Sequence, residues 1–354
     1  MCSPTIPSQM KAIRYNKPGQ FELVNMPVPE PRDHEVLVKV RSCGICGTDL
    51  HIHDGDFNVG MPLVTGHETS GTVAKIGANV QGFAVGDKVT ADAIETCSQC
   101  HYCRQGKQLY CENFAGHGTQ LNGGFAEYCA YSASKLFHFQ KCSWEEASLF
   151  EATACAVHGL DRVKPPAGSK VLLLGAGPTG LCLAQLLKMN SGSHVVLASN
   201  EGPKMQLARS LGAADEYVDL SRSDPTPQWE ELKKSYTHGF DIVVEATGSI
   251  QILERAIEYC TRGGKLLVYG VYPPGDVKIS PMRLMMDEIT LVGSFSEMFD
   301  FPRAVHYLES GKVKVRGIVT HTYALEEFEE ALTALREKRC IKSTILMPEP
   351  RLVD

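Results

Sequence analysis

The glycine-rich segment Gly-Ala-Gly-Pro-Thr-Gly at residues 175–180 constrains the fold of this chain more than any other feature. It follows a short apolar run at residues 171–174 and precedes a helix-forming run at residues 181–189. In this context Gly175 permits a tight turn, Gly177 lets a ligand approach the backbone, and Gly180 allows close packing of strand and helix. The segment, including Pro178 and Thr179, predicts a strand–loop–helix unit that binds the pyrophosphate of a dinucleotide at the helix N-terminus.

Apolar runs and helical stretches alternate around this loop. Strands are predicted at residues 171–174, 195–198, 242–245 and 265–269, and helices at residues 181–189 and 204–211. The alternation predicts an α/β fold with a Rossmann-type, doubly wound parallel sheet. Before it, glycine- and proline-rich sequence with short β-type runs, such as residues 35–40 and 71–76, predicts a mainly antiparallel β domain.

A chain of 354 residues is too long for one ordinary core, so we expect more than one domain. The change of pattern suggests a β domain over residues 1–155 and a dinucleotide-binding domain over residues 156–298. Residues 299–354 are expected to return to the first domain.

Composition excludes several classes of protein. The net charge of −6 lacks the basic footprint of a nucleic-acid-binding protein. No apolar run reaches the roughly 18 residues of a membrane span, and the N-terminus does not resemble a signal peptide. The 13 cysteines therefore favour a reduced, cytoplasmic protein with metal sites over a secreted disulfide framework.

Four cysteines lie close together in the first half of the chain. Cys97, Cys100, Cys103 and Cys111 span 15 residues. Four thiolates at such spacing form a closed tetrahedral zinc site, which leaves no position for a substrate, so its role would be structural. The alternative is a loop with four free cysteines.

Three further segments carry candidate ligands for a second metal ion. Cys46, His67 and Glu151 are all suitable zinc ligands, and three protein ligands with one open position form a catalytic site. Each residue has an ordinary alternative: a buried small side chain, a core histidine and a helix-surface charge. Spacing alone does not bring the three together.

The strand at residues 195–198 bears on the choice of cofactor. An NAD enzyme usually ends this strand with a carboxylate that binds the ribose, but Ser199 and Asn200 follow here. Either side chain can hydrogen-bond the 2′-phosphate that distinguishes NADP from NAD, and Lys204 or Arg222 can neutralise the charge of that phosphate. We predict NADP over NAD, although Glu201, two residues on, would restore a ribose-binding carboxylate. Lys204 is alternatively a solvated helix charge.

These segments together resemble the medium-chain dehydrogenase/reductase family, specifically its zinc-containing alcohol and polyol dehydrogenases. The matching segments are residues 43–49 (CGICGTD), 66–68 (GHE), the four-cysteine loop, 175–180, 245–248 (EATG) and 293–295 (GSF). The resemblance covers roughly residues 11–346 and implies a GroES-like catalytic β domain beside the Rossmann domain. It also implies further cofactor contacts at Thr247, Gly270 and Ser294.

The resemblance assigns roles around the second metal. It implies that Cys46 and His67 bind a catalytic zinc, with Glu151 as the third ligand, either directly or through water. Glu68 would be a second carboxylate near the metal, and Asp49 would orient His67. Thr48 would take the substrate proton, and His51 would pass it to solvent through the cofactor ribose. The four cysteines match the structural zinc ligands.

Glutamate at the third ligand position is similar to the sorbitol and xylitol dehydrogenases, whereas cysteine there is typical of classical-type alcohol dehydrogenases. Cys155 lies four residues on, and Ala152 departs from the proline that polyol enzymes commonly carry. The missing carboxylate at Ser199 is closer to fungal NADP-linked D-arabinitol dehydrogenases. The resemblance thus implies oxidation of a secondary alcohol of a polyol, such as D-arabinitol, xylitol or sorbitol, to the ketose. It also implies a homo-oligomer, with a tetramer favoured.

Other hypotheses remain open at this point. One is an NAD-linked sorbitol, xylitol or simple secondary-alcohol dehydrogenase, and another is a zinc-bearing NADPH-binding protein without turnover. A zinc-free quinone or enoyl reductase would lack Cys46, His67 and the cysteine loop. Tyr131 and Lys135 form the Tyr-x-x-x-Lys pattern of short-chain dehydrogenases, but the glycine loop follows them by about 40 residues instead of preceding them. We interpret this run as a β-domain segment with a surface lysine.

Overall fold

A computed structural model of the chain describes residues 6–190 and 192–348. The strands in this part of the chain are β1 (Gln9–Lys17), β2 (Gln20–Pro27), β3 (Glu35–Ile45), β4 (Leu63–Val64), β5 (Glu68–Ile76), β6 (Lys88–Ala91), β7 (Ile94–Glu95), β8 (Ala115–Gly116), β9 (Tyr128–Ser132), β10 (Leu136–His138), β11 (Lys170–Leu174), β12 (His194–Asn200), β13 (Glu216–Leu220), β14 (Phe240–Glu245), β15 (Cys260–Val268), β16 (Thr290–Gly293), β17 (Val319–Tyr323) and β18 (Lys342–Leu346).

The helices are α1 (Gly47–Asp54), α2 (His101–Arg104), α3 (Trp144–Ala147), α4 (Phe150–Val163), α5 (Pro178–Met189), α6 (Pro203–Leu211), α7 (Thr226–Ser235), α8 (Ile250–Ala256), α9 (Pro281–Met286), α10 (Phe301–Glu309) and α11 (Phe328–Arg336). Short 3₁₀ turns occur at Gln108–Tyr110, Ala133–Lys135, Ile257–Tyr259 and Leu325–Glu327. None of the described helices combines the length and the apolar character that crossing a bilayer demands.

The parallel sheet belongs to a compact unit formed by Ala152–Asp300 and Gly311–Ile318. Its strand order is β13-β12-β11-β14-β15-β16, and every neighbouring pair is parallel. The apolar runs of β11, β12 and β14 are buried because helices cover such a sheet on both faces. The prediction of a Rossmann-type sheet is confirmed. The strand order reverses between β11 and β14, so the glycine loop that follows β11 lies at the topological switch point.

Strand β12 is longer than the sequence predicted. It continues to Asn200 because Ser199 and Asn200 pair with Asp219 and Leu220 of β13. The two candidate phosphate-binding residues are therefore the last residues of a strand and do not belong to the loop after it.

The other unit contains the described residues up to Glu151, together with Phe301–Ser310 and the residues from Val319 onward. A small sheet has the order β2-β1-β4, and a larger one has the order β10-β6-β5-β3-β18-β17, with β9 also paired to β3. All of these pairs are antiparallel except β17 with β18. The predicted mainly antiparallel domain is thus confirmed.

Strand β3 lies at the centre of the larger sheet and organises its functional end. It pairs with β5 on one side and with β18, from the end of the chain, on the other. Apolar residues of β3 and of helix α11, such as Val38, Val40 and Phe328, share one buried core. The carboxyl end of β3 leads directly into Cys46 and helix α1.

Candidate functional site

The four-cysteine loop folds its thiols into one cluster. The sulfur atoms of Cys97, Cys100, Cys103 and Cys111 all lie within 4.8 Å of one another. The backbone N–H groups of Cys97 and Cys100 donate to the sulfur atoms of Cys111 and Cys97, at 3.3 and 3.4 Å. Donation from the backbone N–H of Gln99, with further donors, lowers the pKa of Cys97 to about 6. Burial raises the pKa of Cys103 to about 12, so the fit to a closed zinc site rests on the convergence of the four sulfur atoms.

The second cluster forms where β3 ends and β5 begins. Cys46 occupies the N-cap of α1, His67 directly precedes β5, and Glu68 is the first residue of β5. One ligand atom from each of these three residues lies within 4.8 Å of the other two. The turn before His67 depends on Gly66, whose φ of +95° favours glycine and where a Cβ would meet the sulfur of Cys43 at 2.8 Å.

Negative charge surrounds the imidazole of this cluster. Burial lowers the pKa of His67, but a hydrogen bond with Cys46 and the charges of Asp49 and Glu151 outweigh it and raise that pKa well above its ordinary range. The buried Nδ1 atom of His67 has no hydrogen-bond partner in the described part of the chain. A site with this much negative charge and an orphaned imidazole nitrogen fits a bound metal cation, which competes with the proton for the same histidine.

Two details of this cluster differ from the sequence interpretation. Glu68, and not Glu151, belongs to the group of ligand atoms around Cys46 and His67. Glu151, in the first turn of α4, is near enough to raise the pKa of His67. Asp49 does not orient His67 by a hydrogen bond; its carboxylate instead accepts the backbone N–H of Cys46 at 2.9 Å. Asp49 makes this capping contact because it lies three residues after Cys46, in the first turn of α1, where a carboxylate reaches the N-cap backbone N–H.

Lys342 is a member of this site that the sequence interpretation missed. Its Nζ donates to Glu68 Oε1 at 2.6 Å and lies 2.5 Å from Oε2, which has no hydrogen-bond partner in the described part of the chain. The Lys342 and Glu68 side chains are 4% and 1% exposed. Burial lowers the pKa of Lys342, but the charges of Glu68 and Cys46 outweigh burial and raise that pKa above its ordinary value. The one sequence feature that could have indicated this role is that Lys342 is the only charged residue of β18.

Thr48 and His51 lie on helix α1 beside the metal cluster. The Thr48 hydroxyl is 3.8 Å from the sulfur of Cys46. His51, one turn later, has its Nδ1 3.6 Å from a carboxylate oxygen of Asp56. The helix therefore places a hydroxyl next to a metal ligand and an imidazole further out, in the order that a proton relay requires.

The glycine loop in the other unit has the conformation that its residues predict. Gly175 has a φ of +112°, and a Cβ on Gly180 would lie 2.5 Å from the carbonyl oxygen of Gly175. A Cβ on Gly177, the N-cap of α5, would meet no atom within 4 Å. Pro178 is the first residue of α5, followed by Thr179. The loop thus packs tightly at Gly175 and Gly180 and stays open at Gly177, where a ligand has access.

The carboxyl end of β12 carries polar and cationic groups. Ser199 is half-buried, Asn200 and Glu201 are exposed, and Lys204 lies in the first turn of α6. The guanidinium of Arg222 reaches the same place, since a Cβ on Gly202 would lie 3.7 Å from its Nη2 atom. Among the residues that the structure describes, no carboxylate pairs with Arg222.

The loops after β14 and β15 are joined by a buried carboxylate. Glu245 is fully buried and accepts the backbone N–H groups of Thr247 and Gly248, at 2.7 and 3.1 Å, and the hydroxyls of Thr247 and Tyr272. Its own carbonyl accepts the N–H of Gly270 at 2.9 Å. The sequence interpretation quoted Glu245 but gave it no role, and Tyr272 was missed.

The hydroxyl oxygen of Ser294, just after β16, is buried without a partner in the described structure. Ser294 donates its backbone N–H to the carbonyl of Val268 at 3.1 Å, beside the loop that contains Gly270. An unpartnered hydroxyl at the carboxyl end of a parallel strand is suited to a polar ligand.

Tyr131 and Lys135 do not form a catalytic pair. Tyr131 is fully buried in the β-domain core, and Lys135 forms an ion pair at 2.7 Å with the buried Asp92. The expectation of a surface lysine is therefore wrong, because only 15% of the Lys135 side chain is exposed. The ion pair with Asp92 accounts for the position of Lys135 without a catalytic role for Tyr131.

Comparison with known proteins agrees with both halves of the chain. The family described as alcohol dehydrogenase GroES-like domain matches residues 32–141, and the family described as zinc-binding dehydrogenase matches residues 178–310. The chain is 50% identical to D-arabinitol dehydrogenase 1 of Uromyces fabae over 98% of this chain and 99% of that protein. It is 30% identical to a sorbitol dehydrogenase of Halalkalibacterium halodurans, over 92% of this chain and 95% of that protein.

A solved structure from Sinorhizobium meliloti 1021, described as a zinc-binding dehydrogenase bound to NADP, has a TM-score of 0.89 and 29% identity. The alignment covers 96% of this chain and all of that one. The likeness therefore extends over both units.

Proposed function

Because the chain belongs to the zinc-containing alcohol and polyol dehydrogenases of the medium-chain dehydrogenase/reductase family, we propose that it oxidises a secondary alcohol of a pentitol, D-arabinitol first, to the ketose with transfer of hydride to NADP. The observation that carries the substrate is the 50% identity to a D-arabinitol dehydrogenase over almost the whole length of both chains. The grouping of Cys46, His67 and Glu68 in an acidic pocket supports the chemistry.

In this proposal Cys46 and His67 hold a catalytic zinc, and the third ligand is a carboxylate. When bound, zinc lowers the pKa of a substrate hydroxyl so that its proton leaves at neutral pH. Glu151 is our candidate for the third ligand, directly or through water, and Glu68 is the competing carboxylate. Cys97, Cys100, Cys103 and Cys111 hold a second, structural zinc.

Thr48 accepts the proton of the substrate hydroxyl, and His51 passes it toward solvent. The distance of 3.8 Å between the Thr48 hydroxyl and the Cys46 sulfur supports this role, because it puts the acceptor beside the metal ligands. The position of His51 one turn further along α1 supports the second step.

NADP is the proposed cofactor. Gly175, Gly177 and Gly180, with Pro178 and Thr179, receive its pyrophosphate at the N-terminus of α5. Ser199, Asn200 and Lys204 face the adenosine ribose. The Arg222 guanidinium beside Gly202 supports a 2′-phosphate there, because this exposed cation has no carboxylate partner among the described residues. The loops that hold Thr247, Gly270 and Ser294 supply further contacts. NAD is the alternative cofactor.

We further propose a cytoplasmic homo-oligomer, with a tetramer favoured. The cysteines of the described chain are all free thiols, as expected in a reducing compartment. Edge strand β16 is largely exposed, with Leu291 41% exposed, and α9 before it presents Met282, Met285 and Met286 to solvent. An exposed apolar edge strand of this kind presents unpaired backbone groups with which another chain can pair.

A substrate panel tests the proposal. Purified enzyme with measured zinc content is assayed with D-arabinitol, xylitol, ribitol, sorbitol and 2-propanol, each with NADP and with NAD. We expect the highest kcat/KM with a pentitol and NADP, and loss of turnover in Cys46→Ser with NADPH binding retained. Preference for NAD would refute the cofactor, preference for 2-propanol would refute the polyol, and absence of turnover with every substrate would favour a zinc-bearing NADPH-binding protein.

A further inference from the structure

A fully buried carboxylate joins the loops that follow β14 and β15. Glu245, the last residue of β14, accepts the backbone N–H groups of Thr247 and Gly248 at 2.7 and 3.1 Å, and also the Thr247 hydroxyl. The hydroxyl of Tyr272, from the loop after β15, donates to the same carboxylate. Within the described chain no lysine, arginine or histidine forms an ion pair with Glu245, so these neutral donors alone stabilise its charge.

The two loops also pack against each other through glycines. Gly248 has a φ of +71°, and a Cβ on it would collide with the carbonyl oxygen of Val271. A Cβ on Gly270 would collide with the backbone nitrogen of Gly248 and lie 3.0 Å from Glu245 Oε2. Neither loop can therefore shift without disturbing the other loop or the carboxylate between them.

The loop after β14 lies in turn against the glycine loop after β11. A Cβ on Gly175 would lie 2.9 Å from Thr247 Cγ2 and 3.1 Å from the carbonyl oxygen of Ala246. Three loops thus meet at the switch point between β11 and β14, where a dinucleotide crosses a sheet of this kind. Each half of such a sheet binds one mononucleotide. Because β11 and β12 form the proposed adenosine side, the half with β14, β15 and β16 is left for the nicotinamide mononucleotide.

Tyr272 is anchored at both ends of its side chain. It packs against the apolar core of this unit, which includes Val243 and Leu266, and its hydroxyl donates to Glu245. Burial, the hydrogen bond to Glu245 and the charge of that group raise the pKa of Tyr272 well above its ordinary range, so the hydroxyl remains a donor at neutral pH. A tyrosine fixed in this way is suited to hold Glu245, and through it both loops, in one arrangement.

We propose that Tyr272 is a positioning residue for the cofactor: by holding the Glu245 carboxylate, it keeps the loops after β14 and β15 in the arrangement that receives the nicotinamide mononucleotide half. This inference rests on the proposed binding of NADP or NAD. Tyr272 acts through Glu245 and does not itself touch the reacting atoms.

Binding of two ligands to the zinc-loaded holoenzyme, measured by titration calorimetry, tests the proposal. NADPH needs both halves of the sheet, whereas 2′,5′-ADP, which is its adenosine half, needs only the first. Tyr272→Phe keeps the ring and removes the hydroxyl. We expect NADPH affinity to fall about tenfold, as for loss of one hydrogen bond to a charged group, and 2′,5′-ADP affinity to stay unchanged. Unchanged NADPH affinity, or equal weakening of both ligands, would overturn the proposal.

Hydrogen exchange of the zinc-loaded, cofactor-free enzyme gives a readout that requires no ligand. The amides of Thr247 and Gly248 donate to Glu245, so a carboxylate that Tyr272 no longer holds should let these amides exchange faster in Tyr272→Phe. Exchange as slow as in the wild type would show that the loops keep their arrangement without the tyrosine hydroxyl, and it would refute the inference.

A double variant shows whether Tyr272 acts through Glu245. Glu245→Gln keeps the size of the side chain and removes its charge, and we expect it also to weaken NADPH binding and to spare 2′,5′-ADP. If the two residues act as one unit, the variant with both changes binds NADPH more tightly than the product of the two single losses predicts. Losses that simply multiply would show independent contributions and would overturn the route through Glu245.

Tyr259 provides a matched control in the same unit. Its buried hydroxyl donates to the backbone carbonyl of Trp229 at 3.1 Å, and the residue directly precedes β15, at the opposite end of that strand from Tyr272. We expect Tyr259→Phe to leave NADPH binding and the exchange of the Thr247 amide unchanged. A loss of NADPH affinity equal to that in Tyr272→Phe would indicate a general effect of removing a buried hydroxyl and would contradict the proposal.

Failure of this inference and failure of the proposed function give different results. A wild-type enzyme that binds neither NADPH nor NADH would refute the proposed function. A wild type that binds NADH in place of NADPH changes only the ligand pair, which becomes NADH and AMP. A wild type that binds its cofactor normally, together with a Tyr272→Phe variant of equal affinity, would refute this inference alone.

Discussion

Alanine at Gly180 is predicted to lower the stability of the fold, whereas alanine at Gly177 is predicted to weaken cofactor binding, although the two glycines belong to one loop. A Cβ on Gly180 would lie 2.5 Å from the carbonyl oxygen of Gly175, which is backbone and moves only if strand and helix separate. Overpacking of this kind costs about 1–3 kcal/mol of stability. At about 2–4 °C per kcal/mol, Gly180→Ala should lower the Tm of this unit by about 2–12 °C.

Gly177→Ala should leave the fold intact and weaken cofactor binding. A Cβ there meets nothing within 4 Å, and the φ of −72° is one that alanine adopts. Loss of a favourable N-cap residue and the lower entropy of the unfolded chain nearly cancel, each being below about 1 kcal/mol. The methyl group does, however, occupy the space through which a pyrophosphate approaches the N-terminus of α5. Loss of one charge-assisted hydrogen bond, about 1.5–3 kcal/mol, weakens binding about 10- to 150-fold.

Thermal unfolding and titration of NADPH fluorescence measure the two effects separately. The expected pattern is a stable Gly177→Ala that binds NADPH poorly and a less stable Gly180→Ala. Wild-type NADPH affinity in Gly177→Ala would refute the assignment of this loop to the pyrophosphate. A Gly180→Ala protein as stable as the wild type would refute the packing argument.

Three further variants test single residues. Arg222→Ala should raise the KM for NADP about tenfold, as expected for loss of one exposed charge-assisted contact, and leave the KM for NAD unchanged; an equal rise for both cofactors would contradict a 2′-phosphate site. Cys97→Ser should reduce the zinc content by one ion per chain and lower the Tm, measured by metal analysis and calorimetry, and two ions retained would contradict the structural site. Tyr131→Phe should keep nearly wild-type activity, and complete loss of turnover would support a short-chain mechanism.

Local patterns allowed much of the fold and part of the site to be predicted from the sequence. The glycine loop is identifiable because its requirements, a positive φ at Gly175 and close packing at Gly180, lie within six residues. The four cysteines are identifiable for the same reason, since one short loop brings all four sulfur atoms together. In both cases the residues that cooperate are neighbours along the chain.

Residues that meet only through the sheet were harder to predict. Lys342 reaches Glu68 across 274 positions of sequence, through the pairing of β18 with β3. No local spacing encodes that contact, and the space at Gly44 that permits it is visible only in the structure. The sequence also did not show that Glu68, and not Glu151, belongs to the ligand group with Cys46 and His67, because that group forms only where the end of β3 meets the start of β5.

The charges around His67 show why this pocket is suited to a divalent ion. The acidic side chains of Cys46, Asp49, Glu68 and Glu151 act on or lie near His67, and Lys342 forms an ion pair with Glu68. Without a metal, a proton on His67 offsets only part of their negative charge, which is why the pKa of that histidine is raised well above its ordinary range. A zinc ion supplies two positive charges and takes the place of the proton. A metal bound there only in the folded state would therefore reduce the repulsion among these acidic groups, and it would stabilise the first unit by an amount that grows with the ratio of free metal to its dissociation constant.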